Sequence, residues 1–175
     1  MQFIKTRDVK DPIRNPEENA GIDFFVPEYN EEFLKALLAK NGGNTETVFE
    51  NGSYIEADGT IHIAPHKDII IPSGIRSKFG KNLALIANNK SGVATKKKLI
   101  FGASVIDCSY QGEWHMHLFS LSDRWQTIKC GEKIIQFIPH VISTEEIEVL
   151  NLTPEEFFVE KTSRGEGWQG STGIN

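Results

Sequence analysis

Between Glu113 and Leu121 the chain alternates. Trp114, Met116 and Leu118 fall on one side of an extended segment, and His115 and His117 on the other. A period of two belongs to a β-strand with one face in a core and one toward solvent. No helix gathers that pattern onto one face, so this segment, and whatever pairs with it, is committed to a sheet. The β character runs from Ile61 onward. Ile69-Ile70-Ile71 stops at Pro72-Ser73-Gly74, and Ile75–Phe79 and Leu83–Ala87 follow. Beyond the alternating strand come Trp125–Lys129, Lys133–Ile138 and Glu146–Leu150. Upstream, Gln2–Thr6 and Phe24-Phe25-Val26 read as strands, the second stopped by Pro27. About ten short strands bounded by turn residues predict a mainly β chain, an antiparallel barrel or jelly roll.

Three stretches depart from this pattern. In Asn30–Lys40 the residues Phe33, Leu34, Leu37 and Leu38 share one helical face, Asn30 can cap the start, and Asn41-Gly42 supplies a stop. Asn41–Asn51 then reads as a polar, mobile loop, and Tyr54–Ile63 as a hairpin around Asp58-Gly59. This helix and hairpin read as decoration on the β domain. Farther on, Thr153-Pro154-Glu155-Glu156 is a capping box with proline at the first helical position, predicting a short helix over Glu155–Val159. No repeat or linker divides the chain.

Composition excludes several functions. The 175 residues suffice for one domain with a sizeable core. A net charge of −5 argues against a nucleic-acid surface. No apolar run approaches the ~18 residues of a membrane span, and Met-Gln-Phe-Ile-Lys-Thr-Arg-Asp has no signal-peptide apolar core. Cys108 and Cys130 lack metal-type spacing and read as reduced thiols of a cytoplasmic protein.

Four stretches carry the candidate chemistry. Gly102–Glu113 reads as strand, turn, strand, with the turn near Cys108–Gly112. Asp107 ends its apolar pair Val105-Ile106, and Tyr110 follows three residues on. Together they suit the floor and wall of a site for a small flat ligand, although a turn aspartate is more often structural. The tail Arg164–Gly173 holds four glycines in ten residues together with Arg164, Ser171 and Thr172. Such a segment can wrap backbone N–H groups and hydroxyls around phosphate oxygens, with Arg164 as a bidentate grip. It nearly spells a P-loop, but Ser171 stands where the lysine belongs and no strand–loop–helix surrounds it. Asn89-Lys90-Ser91-Gly92-Val93-Ala94 offers an ammonium, a hydroxyl and a backbone N–H to an anion, whereas Lys96–Lys98 reads as solvated surface. In Gly131–Gln136, Gln136 sits inside an apolar strand, where a buried amide needs partners. It suits a structural bridge and a ligand contact equally. His115 and His117 share a strand face without a third ligand and read as polar surface.

Taken in order, these stretches resemble the five motifs of the trimeric dUTP pyrophosphatases. Ala20-Gly21-Ile22-Asp23 matches the first, Lys90-Ser91-Gly92-Val93 the second and Ser104–Gly112 the third. Gly131–Gln136 matches the fourth and Arg164–Gly173 the fifth. Any one motif is weak, and five in order are specific. The resemblance implies a jelly-roll (β-clip) protomer over residues 1–163, with an insertion at about 29–53, and a glycine-rich active-site arm over 164–175. It implies a homotrimer whose active sites are shared between chains. It further implies hydrolysis of Mg²⁺-bound dUTP to dUMP and pyrophosphate, which removes dUTP and supplies dUMP for thymidylate synthesis. Asp107 would hold and activate the attacking water. Tyr110 would stack under the deoxyribose, and backbone around Phe101, Ser104 and Ile106 would read the uracil edge. Lys90, Ser91, Gly92, Gln136, Arg164, Gly170, Ser171 and Thr172 would surround the phosphates. Asp23 would reach the metal through water.

Departures from the family pattern are local. Ser104 replaces a glycine. Lys90 replaces an arginine and loses its bidentate fork. Gln169 stands where the family has the phenylalanine that caps uracil, and Trp168, one place earlier, is expected to take over the stacking. Two other functions share this scaffold. A dCTP deaminase would need a glutamate where His115 and His117 stand. A non-catalytic nucleotide-binding regulator would have no use for both Asp107 and the arm.

Overall fold

The computed structural model describes residues 1–43, 47–160 and 162. It falls into two compact units, Met1–Ser143 and a second that begins at Thr144. The expected boundary at 163/164 lies outside the described residues.

The first unit is built of short antiparallel strands. They are β1 Gln2–Lys5, β2 Ile22–Phe25, β3 Tyr54–Ile55, β4 Thr60–Ile63, β5 Asp68–Pro72 and β6 Ile75–Lys78, followed by β7 Leu83–Asn89, β8 Leu99–Phe101, β9 Val105–Asp107, β10 His115–Ser120, β11 Gln126–Lys129 and β12 Lys133–Val141. They pair in the orders β2-β12-β7-β9, β5-β10-β8, β11-β4-β3 and β1-β6. One helix, α1, spans Glu31–Lys40.

The Glu113–Leu121 alternation is realised in β10, where Trp114, just before the strand, and Met116 are fully buried and Leu118 nearly so. Trp114 anchors an aromatic core. It stacks on Phe24 at 5.0 Å and meets Phe3 and Phe137 edge-on at 5.9 and 4.9 Å. Gly74 takes φ +72 in the turn between β5 and β6, a backbone state glycine adopts without strain.

Four expectations are corrected. Tyr54–Ile63 forms the expected hairpin, but it is no decoration. β4 pairs with β11 as well as β3, and Ile55, Ile61 and Ile63 lie in the core. Phe33 and Leu37 of α1 are likewise fully buried, so the amphipathic helix seals the domain instead of riding on it. Asn41–Asn51 is not simply a polar loop. Phe49 is 2% exposed, and Asn41 bonds both the N–H and the C=O of Ile70 at 2.8 Å. Around Gly102–Glu113 the expected strand, turn and strand form, but the two strands do not pair with each other: β9 pairs with β7, whereas β10 pairs with β5 and with β8, a three-residue strand absent from the expectations.

The fourth correction lies in the second unit. Glu146–Leu150 forms no strand. Ile147 and Val149 are 93% and 91% exposed, and an extended segment becomes a strand only against an edge that completes its hydrogen bonds. The short helix does form, as α2, Pro154–Phe157, with both arms of its capping box made. No helix among the described residues is long and apolar enough to cross a membrane.

Candidate active site

Asp23 and Gln136 face each other across the β2–β12 pair. Between Lys133 and Ile135 the register of β12 shifts. This bulge lets Ile134 and Ile135 both turn inward, each 1% exposed. Lys133 stays at the rim, with Nζ 3.0 Å from Asp23 Oδ2. Lys90 pairs with the other carboxylate oxygen, Oδ1. Burial works against the charged form of Asp23, yet hydrogen bonds from Lys90 and then Lys133 outweigh it and hold the carboxyl below its ordinary range.

Gly21 explains how Gln136 comes so close to the first motif. A Cβ there would lie 2.9 Å from Gln136 Cβ and nearer still to Oε1. Gln136 Nε2 donates to the Asn89 carbonyl at 2.9 Å, which makes Gln136 a structural bridge as well as a groove residue. Asn89 Oδ1 in turn accepts from the Phe101 N–H at 2.9 Å. Asn89 therefore joins two candidate segments. Asn89 opens the candidate stretch Asn89–Ala94, but the local pattern assigns its side chain no role.

After Lys90 the chain turns helical at Ser91 and forms one π turn, Val93–Lys97. The result is an open groove of about 550 Å³ lined by Lys90, Ser91, Gly92, Lys96, Lys133 and Gln136, among others. Lys97 also lines it but is not solvated surface. Its Nζ donates to the Thr127 carbonyl at 2.8 Å and to Glu132 at 2.6 Å. Four lysines around one concave surface, with a hydroxyl and a glycine backbone between them, make a site for a polyanion.

Asp107 and Tyr110 lie elsewhere. Asp107 ends β9, the outer strand of its sheet, opposite Ala84. Gln136 lies opposite Asn88, farther along the same β7. Strand rise and spacing put Asp107 and Gln136 ~16 Å apart. Asp107 is exposed, and its carbonyl accepts the Tyr110 N–H at 3.1 Å. Ser104 holds its segment to β7, its carbonyl accepting from Ala87 N at 2.7 Å. Ile106 pairs with Leu85. His117 supports the same region. Its Nδ1 accepts from the Ala103 N–H at 3.2 Å, and its Nε2 lies 3.1 Å from Asp68 Oδ2. Arg164, Trp168, Gly170, Ser171 and Thr172 lie outside the described residues.

No group of three or more acidic, histidine or cysteine side chains that could cage a metal occurs among the described residues. Mg²⁺ that arrives on phosphates and keeps its own waters needs no such cage.

The dUTPase family model matches residues 54–173, and the chain belongs to the dUTPase family. A deoxyuridine 5'-triphosphate nucleotidohydrolase of Candida albicans is 35% identical over 121 residues, covering 69% of each chain. Among solved structures, a dUTPase of Staphylococcus bacteriophage 80alpha with dUpNHpp superposes with a TM-score of 0.69 at 18% identity, covering 99% of this chain and 98% of that one. A dUTPase from phage phi11 of S. aureus, whose structure concerns the coordination of a structural Mg(II) ion, superposes at 0.62 with 17% identity, covering 87% and 97%. At these identities the structures establish the shared fold.

Proposed function

We propose that this protein hydrolyses dUTP to dUMP and pyrophosphate, removing dUTP and supplying dUMP for thymidylate synthesis. The observation that carries the reading is the lysine-lined groove, where three stretches distant in sequence converge: Asp23, Lys90–Gly92 and Lys133–Gln136. It presents cationic and donor groups to a triphosphate, whose charge grows on the phosphoryl oxygens during reaction. Asp23 would meet the water shell of Mg²⁺ carried on the triphosphate, which would supply charge neutralisation there. Asp107 takes a proton from water as the water oxygen bonds to the α-phosphorus and the bond to pyrophosphate breaks. Tyr110 offers its ring to the deoxyribose. Phe101, Ser104 and Ile106 present backbone to uracil. The arm, with Arg164, Gly170, Ser171 and Thr172 on phosphate and Trp168 on the base, closes over the substrate and excludes water.

A general base acts within about 3 Å of its target, or through one water. Phosphates held in the groove of one chain therefore lie out of reach of that chain's own Asp107. A second copy that brings its Asp107 edge to the groove closes the gap. This supports sites shared between copies, as the homotrimer reading requires, and Ile147 and Val149 leave apolar surface that such a copy can cover. The free thiols Cys108 and Cys130 are consistent with a reducing cytoplasm.

The test is pyrophosphate release from dUTP, dCTP, dTTP and UTP with Mg²⁺, by the wild type and by Asp107→Asn. Selective release from dUTP is expected, falling by ~10²-fold or more in Asp107→Asn, with binding of a non-hydrolysable dUTP analogue retained. Undiminished turnover in Asp107→Asn would overturn the general-base assignment. Binding of dUTP without release by the wild type would favour the regulatory binder.

A further inference from the structure

A chain of polar contacts running back from Tyr110 has no part in the reaction described above. Arg7, just past β1, grips Glu113 with two parallel hydrogen bonds, Nε to Oε1 and Nη2 to Oε2, each 2.9 Å. Both side chains are 14% exposed. Glu113 Oε1 also accepts the Gly74 N–H at 2.7 Å. Three donors thus fix one carboxylate. The remaining Arg7 nitrogen, Nη1, donates to Glu32 Oε1 at 2.9 Å, in the first turn of α1.

At the other end, the Glu113 backbone carbonyl accepts the Tyr110 hydroxyl at 2.9 Å. The ring lies against Gly112, where a Cβ would fall 2.5 Å from Tyr110 Cζ. Tyr110 is held at its hydroxyl and by Gly112, yet remains 40% exposed. A buried ion pair is a poor device for stability, because desolvating two charges offsets most of their attraction. What a bidentate pair supplies is position.

We infer that Arg7 and Glu113 are positioning residues for Tyr110, and that their clamp sets the discrimination between deoxyribose and ribose. The inference rests on Tyr110 being the sugar platform of the proposed function. A ring held in place leaves no room for a 2′-hydroxyl. A ring free to retract by a fraction of an ångström admits it, and misplacement on that scale costs rate at the correct substrate as well. Through Glu32 the clamp also ties α1, in the segment read as an insertion, to the site.

The experiment is pyrophosphate release from dUTP and UTP, read as the ratio of their kcat/KM values. The wild type is compared with Arg7→Met, Arg7→Lys, Glu113→Gln and Tyr110→Phe, with Tm recorded for each. The ratio is expected to fall about tenfold in Arg7→Met and Glu113→Gln, the scale of one lost hydrogen-bond restraint. Arg7→Lys, which keeps the charge without the fork, is expected to fall between these and the wild type. Tyr110→Phe removes only the hydroxyl anchor and leaves the ion pair intact, so it answers the question even if a charge variant fails to fold. It too is expected to lower the ratio. Activities that fall in parallel on both substrates, leaving the ratio at the wild-type value, would overturn the inference alone. A wild type that releases no pyrophosphate from dUTP would overturn the reading of the site, and the inference with it.

Discussion

Gly21 is where the first and fourth motifs touch, and its lack of a side chain is what lets them. Gly21→Ala would push a methyl group into Gln136, part of a strand pinned on both sides by β2 and β7. The expected cost is about 1–3 kcal/mol in urea denaturation, together with weaker dUTP binding in calorimetry. Unchanged stability would mean that Gln136 is free to move. Glu113 supplies a pH prediction. Its burial favours the neutral acid, but Arg7 and the Gly74 N–H outweigh that and lower its folded pKa. The ionised group therefore adds stability that is fully present above its unfolded pKa of ~4.3 and is lost as pH falls through the folded value. Glu113→Gln should be less stable at neutral pH and show a shallower loss of stability on acidification. Equal slopes in the two proteins would contradict the linkage. Asp23, Lys90 and Gln136 were legible at this scale because their motifs are local. Lys133 as an Asp23 partner, Asn89 as a bridge and Arg7 as a clamp were not. Each depends on a register, a bulge or a partner far along the chain.

Among the elements, α1 shows the same divide. Its extent and cap followed from the spacing of Phe33, Leu34, Leu37 and Leu38 and from Asn30, whose side chain accepts from the Phe33 N–H at 2.8 Å. Its importance did not. An amphipathic face announces burial without saying against what, and here the partner is the main core. Leu37→Ala should cost about 2–5 kcal/mol in urea denaturation, the range for emptying a fully buried leucine position. A loss well under 1 kcal/mol would return the helix to the status of decoration. Strands that alternate or carry β-branched runs were found from sequence. β8 escaped because three residues, Leu99–Phe101, give no period to read. Glu146–Leu150 had the composition of a strand, but composition cannot supply the neighbouring edge that makes one.

For the whole molecule, sequence order and spatial order diverge. Five motifs in a line identified the family, whereas the described residues put Asp107 and the lysine-lined groove at separate places on one sheet. No periodicity encodes that separation, since it is set by how far along β7 each neighbour pairs. Each proposed active site is therefore the joint property of neighbouring copies. The most direct measurement mixes two impaired proteins. Asp107→Asn lacks the base but keeps the groove. The double variant Ser91→Ala, Gln136→Ala keeps the base but weakens the groove. Each alone should hydrolyse dUTP poorly. Co-refolded, they should recover dUTP hydrolysis well above the sum of the two, because some sites then combine an intact groove from one chain with Asp107 from another. A mixture no more active than that sum, with mixed oligomers verified by mass, would contradict the account and place the whole site within a single chain.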